Sequence, residues 1–458
     1  MCGITGFFNP SGLDGIEAKI NIVNMRNALR HRGPDDSGDW IESKSGIALG
    51  HQRLSILDIS SAGHQPMESK TGRYVMVFNG EIYNHLEIRK DIDSLTSINW
   101  NGHSDTETLL VSFDLIGFRK TLEKIVGAFS IALWDKEKKV LSLARDRMGE
   151  KPLYYGWQNG IFLFGSELTA LRKYDAFEDV INREIIPSYL KTGAISAPNS
   201  IYKGIYKVMP SSYIEITAYS DKDTMPEATY YWSLEEIARN GVKSPLTGNV
   251  DELIEGLEEL INQSVSLQTI SDVPLGAYLS GGIDSSLIVA LLQSNSMEKV
   301  KTFTIGFEEK KYDESMYAQS VSDYLGTDHT TIYLTKQEII RDITEMQGIY
   351  DEPLSDSSAS LRVATLAKKD VKVALCGDGG DELFAGYSHY SKISKISGII
   401  DTFPDVIRQV ISKLGTSLPS KLITVASEPF MKLFNISTAT PLGLKIQKLA
   451  KIFNIRDH

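Results

Sequence analysis

Short apolar runs dominate the first two hundred positions. Ile47–Leu49, Tyr74–Phe78, Ala128–Trp134, Val140–Leu143, Leu153–Gly156 and Ile161–Phe164 each have strand length, with Gly, Asn and Asp turn signals between them. The spacing predicts a helix after Asp105, with Leu109, Leu110, Phe113 and either Leu115 or Ile116 on its apolar side. Such a mixture predicts an α+β sandwich of two stacked, mostly antiparallel sheets flanked by helices. Polar, proline-containing sequence fills Tyr219–Asn249, which places a linker at 219–250, a first domain at 2–218 and a second at 251–458.

After Asp251 the rhythm changes. Leu253, Leu257, Leu260, Ile261 and Val265 recur at helical spacing, and the strand-like runs Val273–Leu279, Val300–Ile305, His329–Leu334 and Val371–Cys376 alternate with helices. One helix opens at a capping box, Thr335 with Glu338. Alternation of this kind predicts an α/β doubly wound parallel sheet with ligands at the carboxyl ends of its strands.

Composition narrows the function. With 42% hydrophobic and 23% charged residues, the 458-residue chain is globular rather than disordered. Its formal charge of −11 argues against nucleic acid or an anionic membrane as the main partner. No run of about 18 apolar residues is long enough to cross a bilayer. The start, MCGITGFFNPSG, lacks the basic and apolar regions of a secretory signal, so a cytoplasmic location is expected. Two cysteines, Cys2 and Cys376, exclude a disulfide framework, and the eight histidines show no metal-ligand spacing. Oligomeric state is not readable, a homodimer being one option.

Cys2 is the first chemical signal. Removal of Met1 would give it both a thiol and a free α-amine, nucleophile and general base in one residue. A lone cysteine near a terminus is more often incidental. Here, however, it opens an ordered series: MCGITGF, HRGPD (His31–Asp35), HQRLSILD (His51–Asp58), FNGEIYNH (Phe78–His85) and HSDTE (His103–Glu107). Together these resemble the class II glutamine amidotransferases, whose N-terminal nucleophile hydrolyses glutamine. Attack on a carboxamide builds an oxyanion, for which the Asn79 amide and the Gly80 N–H are donors. Arg53 suits glutamine's α-carboxylate and Asp105 its α-ammonium. Glu81 adds a polar contact, and Leu54 and Ile56 complete the glutamine set that the resemblance implies.

The second signal is Ser280-Gly281-Gly282-Ile283-Asp284-Ser285-Ser286, between a strand and a helix. Such a turn offers backbone N–H groups, hydroxyls and a helix N-terminus to phosphate. The pattern SGGxDS resembles the PP-loop of ATP pyrophosphatases. The loop Cys376-Gly377-Asp378-Gly379-Gly380-Asp381-Glu382 also ends a strand and opens a helix. Asp284 and Asp381 are the candidate carboxylates for Mg²⁺. Leu279, Ile305 and the Cys376–Gly377 backbone would frame adenine and ribose, with Cys376 a buried strand end.

The two modules in this order resemble the glutamine-hydrolysing asparagine synthetases. The resemblance implies that ATP activates aspartate as β-aspartyl-AMP and that enclosed ammonia from glutamine displaces AMP, giving asparagine and pyrophosphate. Asp378 occupies a position near the acyl-adenylate that is often Glu in asparagine synthetases, and GDGGDELFAGY also occurs in relatives that amidate sugar acids. The family continues with an Arg-x-Pro segment and a lysine that 386–458 does not match, since Lys445, Lys448 and Lys451 read as the polar face of a helix. The expectation is therefore either a shortened ligase module or a partner that supplies the missing part. Three functions stay open: an asparagine-forming ligase, an amidotransferase on a sugar carboxylate, and a ligation-deficient regulatory or scaffolding relative.

Overall fold

The computed structural model describes residues 1–311, 313–346, 348–353, 359–387, 390, 404, 408, 409, 412, 413 and 417. The expected lysine-bearing helix face at Lys445, Lys448 and Lys451 lies outside the described residues. The chain divides into two compact units, Met1–Cys376 and Gly377–His458.

In chain order the strands of the larger unit are β1 (Gly3–Phe8), β2 (Asp36–Glu42), β3 (Ile47–Arg53), β4 (Met67–Glu68), β5 (Tyr74–Ile82), β6 (Gly127–Asp135), β7 (Val140–Arg145), β8 (Tyr154–Gln158), β9 (Ile161–Gly165), β10 (Ile205–Lys207), β11 (Ser212–Ile216), β12 (Thr229–Tyr230), β13 (Leu275–Tyr278), β14 (Lys301–Phe307), β15 (Asp328–Leu334) and β16 (Val373–Leu375). Two six-stranded sheets, β10-β8-β9-β1-β3-β2 and β12-β11-β7-β6-β5-β4, are antiparallel throughout.

Alternation along the strands builds the layers. On β5, Val75 and Val77 join Ile4, Phe8, Leu49 and Trp134 in the core between the sheets, while Tyr74, Met76 and Phe78 face the helix Asp105–Ile116 through Leu109 and Phe113. On the opposite outer face, Phe7 and Ala48 meet Ile22 and Met25 of the helix Gly15–Ala28. Leu115 turns outward, whereas Ile116, the alternative, is half-buried.

The stretch read as linker contains structure of its own. Thr229–Tyr230 pairs with β11 and Tyr231 is buried, so packing on the sandwich continues past Tyr219. A helix at Leu234–Lys243 follows.

Beyond it, β15-β14-β13-β16 form a four-stranded parallel sheet. Ala277, Leu279, Val289 and Val265 cluster on one side, and Phe303, Leu366 and Val371 on the other. The expected Thr335–Glu338 capping box is present, with each residue's backbone N–H bonded to the other's side chain. In the helix Val250–Gln268, only Ile261 and Val265 of the five periodic apolar residues reach the core, whereas Leu253, Leu257 and Leu260 are exposed. In the smaller unit a short helix spans Gly380–Phe384, preceded by Gly379 at φ 93.

Candidate active site

Antiparallel register brings Cys2 to its partners. Gly3 pairs with Gln52, so Cys2 emerges beside Arg53 and Leu54 at the end of β3. The Leu54 N–H donates to Cys2 Sγ at 3.4 Å, and the thiol faces Leu54 O at 3.6 Å. Burial pushes the thiol pKa up, while the Leu54 bond, the terminal amine and Arg53 pull it down. With Met1 present the terminal amine is that of Met1, and burial lowers it to about 6. Arg32 fixes the segment by donating Nε–H to Cys2 O at 2.9 Å while pairing with Glu167 at 2.7 Å.

The residues expected as oxyanion donors, Asn79 and Gly80, lie on β5. Opposite Gly80, Phe129 turns both backbone groups toward Asp146, accepting from its N–H at 2.9 Å and donating to its Oδ2 at 3.1 Å. Gly80 and Phe129 thus form a non-hydrogen-bonded pair, and the Gly80 N–H points away from β6. Its neighbours along that edge are engaged: Phe78 N–H donates to Gln65 Oε1 at 2.7 Å, and Ile82 N–H to Asp105 Oδ2 at 2.9 Å. Between them the Gly80 N–H takes no partner among the described residues. A Cβ at Gly80 would lie 2.2 Å from Ala128 O, so the close approach is to β6. Asn79 is fully buried, with Nδ2 at 3.5 Å from Ser130 Oγ and Oδ1 lacking a partner among the described residues. A buried orphan of this kind is costly.

Asp105 opens its helix just after the cap Ser104, which accepts from Glu107 N–H. Burial raises its carboxyl to about 6, against the lowering by the Ile82 and Thr106 bonds. Glu81 reaches about 7, from burial and then the Asp105 charge. Arg53 is nearly buried, donating Nη1–H to Ser60 O at 2.9 Å and Nη2–H to the carbonyls of Leu57 and Asp58. Both Nη2 donors are therefore engaged, and the Nε–H and one Nη1–H remain for a ligand. Ile56 O accepts from the Asp272 backbone at 3.0 Å.

At the end of β13 the SGGxDS turn is internally braced. Ser280 and Ser285 hydroxyls lie 2.9 Å apart, and Gly282 N–H donates to Ser280 Oγ at 3.2 Å. Gly281 sits at φ 81, and a Cβ there would lie 2.6 Å from Tyr317 Cβ and from Ala318 N. No side chain caps the helix Ile283–Ser294, and Ser286 Oγ is buried without a partner among the described residues. These open donors fit phosphate oxygens. Asp284 lies in the first helical turn, Leu279 is buried beneath the loop and Ile305 is half-buried on β14.

Cys376 departs from expectation. It is exposed rather than buried, because it lies one residue beyond the last paired position of an edge strand. Gly377, Asp378 and Asp381 belong to the smaller unit, where Asp378 is exposed and Asp381 is half-buried in the first turn of its helix. Among the described residues, no three His, Cys, Asp or Glu side chains converge as metal ligands. A cage made of protein groups alone is thus not formed by them.

Comparison with known proteins gives two family matches: a glutamine amidotransferase domain over residues 1–232 and an asparagine synthase domain over 256–442. The "Putative asparagine synthetase [glutamine-hydrolyzing] 2" of Methanocaldococcus jannaschii is 36% identical over 92% of this chain and 81% of its own length. The chain belongs to the glutamine-hydrolysing asparagine synthetase family. Another family member, "Asparagine synthetase [glutamine-hydrolyzing] 1" of Bacillus subtilis, is 31% identical over 92% of this chain, which spans 64% of that protein's length. Among solved structures, a glutamine phosphoribosylpyrophosphate amidotransferase from B. subtilis matches at 14% identity and a TM-score of 0.36 over 72% of this chain and 65% of its own, too slight to argue from.

The two matched modules coincide with the antiparallel layers and the parallel sheet, as expected from the strand patterns. No described helix is long and apolar enough to cross a membrane. Sequence reasoning did not single out Ser130, Glu167 or Asp272, and it met Asp58 only as the end of HQRLSILD. Their contacts with Asn79, Arg32, Ile56 and His103 join positions far apart in the chain.

Proposed function

We propose that this chain is a glutamine-dependent ligase that forms asparagine from aspartate with consumption of ATP. With Met1 removed, the Cys2 amine takes the thiol proton as Sγ attacks the glutamine carboxamide carbon. Asn79 Nδ2 and the Gly80 N–H hold the oxyanion, the C–N bond breaks, and the amine returns its proton to the departing nitrogen as ammonia. Water then cleaves the thioester to glutamate. Arg53 meets the substrate's α-carboxylate with its remaining donors, and Asp105, with Glu81, meets the α-ammonium. Leu54 and Ile56 line the same pocket.

In the second module, Ser280, Gly281, Gly282, Ser285 and Ser286 would hold the phosphates of ATP. Leu279, Ile305 and Cys376 would border adenine and ribose. Mg²⁺ would arrive with the nucleotide, with Asp284 the carboxylate this module offers it, and would neutralise phosphate charge. The acyl-adenylate provides the leaving group that a bare carboxylate lacks. Ammonia produced inside the protein escapes protonation by bulk water. In this reading the protein works in the cytoplasm.

One observation carries the glutaminase half: the unpartnered Gly80 N–H on the β5 edge, flanked by buried Asn79 and by Asp105. The GDGGDELFAGY stretch favours a second acceptor, a sugar carboxylate. The test is pyrophosphate release with Mg-ATP, glutamine and a panel of carboxylates. Release with aspartate, abolished by Cys2→Ala but restored by ammonium salts, is expected. Release with a uronic acid alone would move the acceptor to sugars. Glutamine hydrolysis without release from any acceptor would leave a ligation-deficient protein.

A further inference from the structure

The loop Leu54–Ser60 shapes the Cys2 site through its backbone: Leu54 grips the thiol, and Leu57, Asp58 and Ser60 hold the Arg53 guanidinium. This loop is fastened from outside the sandwich. Asp272, three residues before β13, donates its N–H to Ile56 O at 3.0 Å. Its Oδ2 accepts from the Asp58 N–H at 2.7 Å and lies 2.6 Å from His103 Nε2. The His103 N–H in turn donates to Asp58 Oδ2 at 2.8 Å, and Asp58, buried at φ 52, accepts from the Ser60 hydroxyl. His103 stands two residues before Asp105. A second tie runs from Lys372 to Asp35 at 2.9 Å, and the same Asp35 oxygen accepts from Ser55 N–H. A cavity of about 440 Å³ is lined by Arg53, Ser55, Ser60, Val273 and Lys372.

We propose that Asp272 is a positioning residue for the glutamine site, fixing both the 54–60 loop and the segment that leads into Asp105. The inference rests on the glutaminase reading and adds to it a dependence of the glutamine pocket on the parallel-sheet module. Asp272 touches neither Cys2 nor the SGGxDS loop. It acts through Ile56, Asp58 and His103. The strand it precedes, Leu275–Tyr278, leads into the SGGxDS loop.

The experiment compares the full-length chain with Asp272→Ala and Asp272→Asn. Glutamate release from glutamine is measured beside ammonia-driven pyrophosphate release with Mg-ATP and aspartate. Asp272→Ala is expected to raise KM for glutamine by about tenfold or more, with kcat altered by less than about threefold. Ammonia-driven release stays within about twofold of wild type, while glutamate formed per pyrophosphate increases. Asp272→Asn keeps an acceptor for the Asp58 N–H and recovers most of the KM. An unchanged KM in Asp272→Ala overturns the proposal, as does a parallel loss of glutamine-driven and ammonia-driven rates. A wild-type chain that releases no glutamate removes the glutaminase reading itself, and the proposal with it.

Discussion

Asp105 combines two demands that oppose each other. The proposed contact with an ammonium calls for an ionised carboxylate, yet the residue is 5% exposed and burial pushes its pKa up to about 6. A raised acid pKa contributes stability that is complete below the unfolded value and lost as pH rises through the folded one. Above about pH 7 the folded chain therefore carries a buried charge costing about 3 kcal/mol. Asp105→Asn is expected to raise the melting temperature at about pH 8, with the gain closing below about pH 4. The same variant is expected to raise KM for glutamine by about tenfold or more. Thermal denaturation across pH, with glutaminase kinetics, checks both.

At the scale of elements, the site is made where regular structure stops. The β5 edge is left open where β4 pairs only with Val75 and Met76, and the N-terminus of the 283–294 helix is uncapped. Gly281 is the clearest constraint there, because a side chain would need both a φ of 81 and space held by Tyr317 and Ala318. Gly281→Ala is expected to cost ~1–3 kcal/mol locally and to abolish ATP-dependent pyrophosphate release, while glutamine hydrolysis persists. Nucleotide binding by calorimetry and separate assays of the two half-reactions distinguish this from global unfolding.

Across the larger unit, the modules are joined by acidic side chains reaching onto the sandwich. Asp351 accepts from the N–H groups of Leu168 and Thr169 at 2.6 and 3.0 Å. Glu352 accepts from the Ile201 N–H at 2.8 Å and pairs with Lys207, whose ammonium also donates to Ile195 O. Both partners of the Glu352–Lys207 pair are mostly buried. Removing one leaves an uncompensated charge, so Glu352→Ala is expected to cost ~3–5 kcal/mol and to lower the melting temperature. The ratio of glutamate to pyrophosphate is expected to rise as well, since loosened docking separates the half-reactions.

The sequence by itself determined the layers and marked the candidate chemistry. Period-2 alternation in Tyr74–Phe78 sorts its residues to two cores, and motif spacing marks Cys2, Asn79, Gly80, Asp105 and the SGGxDS turn, because local pattern and residue type suffice for both. Tertiary structure decided the rest. Register alone sets Cys2 against Leu54, and the backbone direction of Phe129 is what leaves the Gly80 N–H open. Arg53 reads as a free fork in sequence, but the turn at Leu57–Ser60 occupies part of it. Cys376 reads as buried until the sheet order puts its strand at an edge. Leu253, Leu257 and Leu260 have helical spacing, yet the described packing reaches only the last turns of their helix. Asp272 carries no motif role that the sequence could reveal, since its partners at Ile56, Asp58 and His103 are far away in the chain and two of its bonds are to backbone. Pattern encodes which surfaces are apolar and which groups react. Which backbone groups stay unpaired depends on register, edges and docking, which exist only once the whole chain has folded.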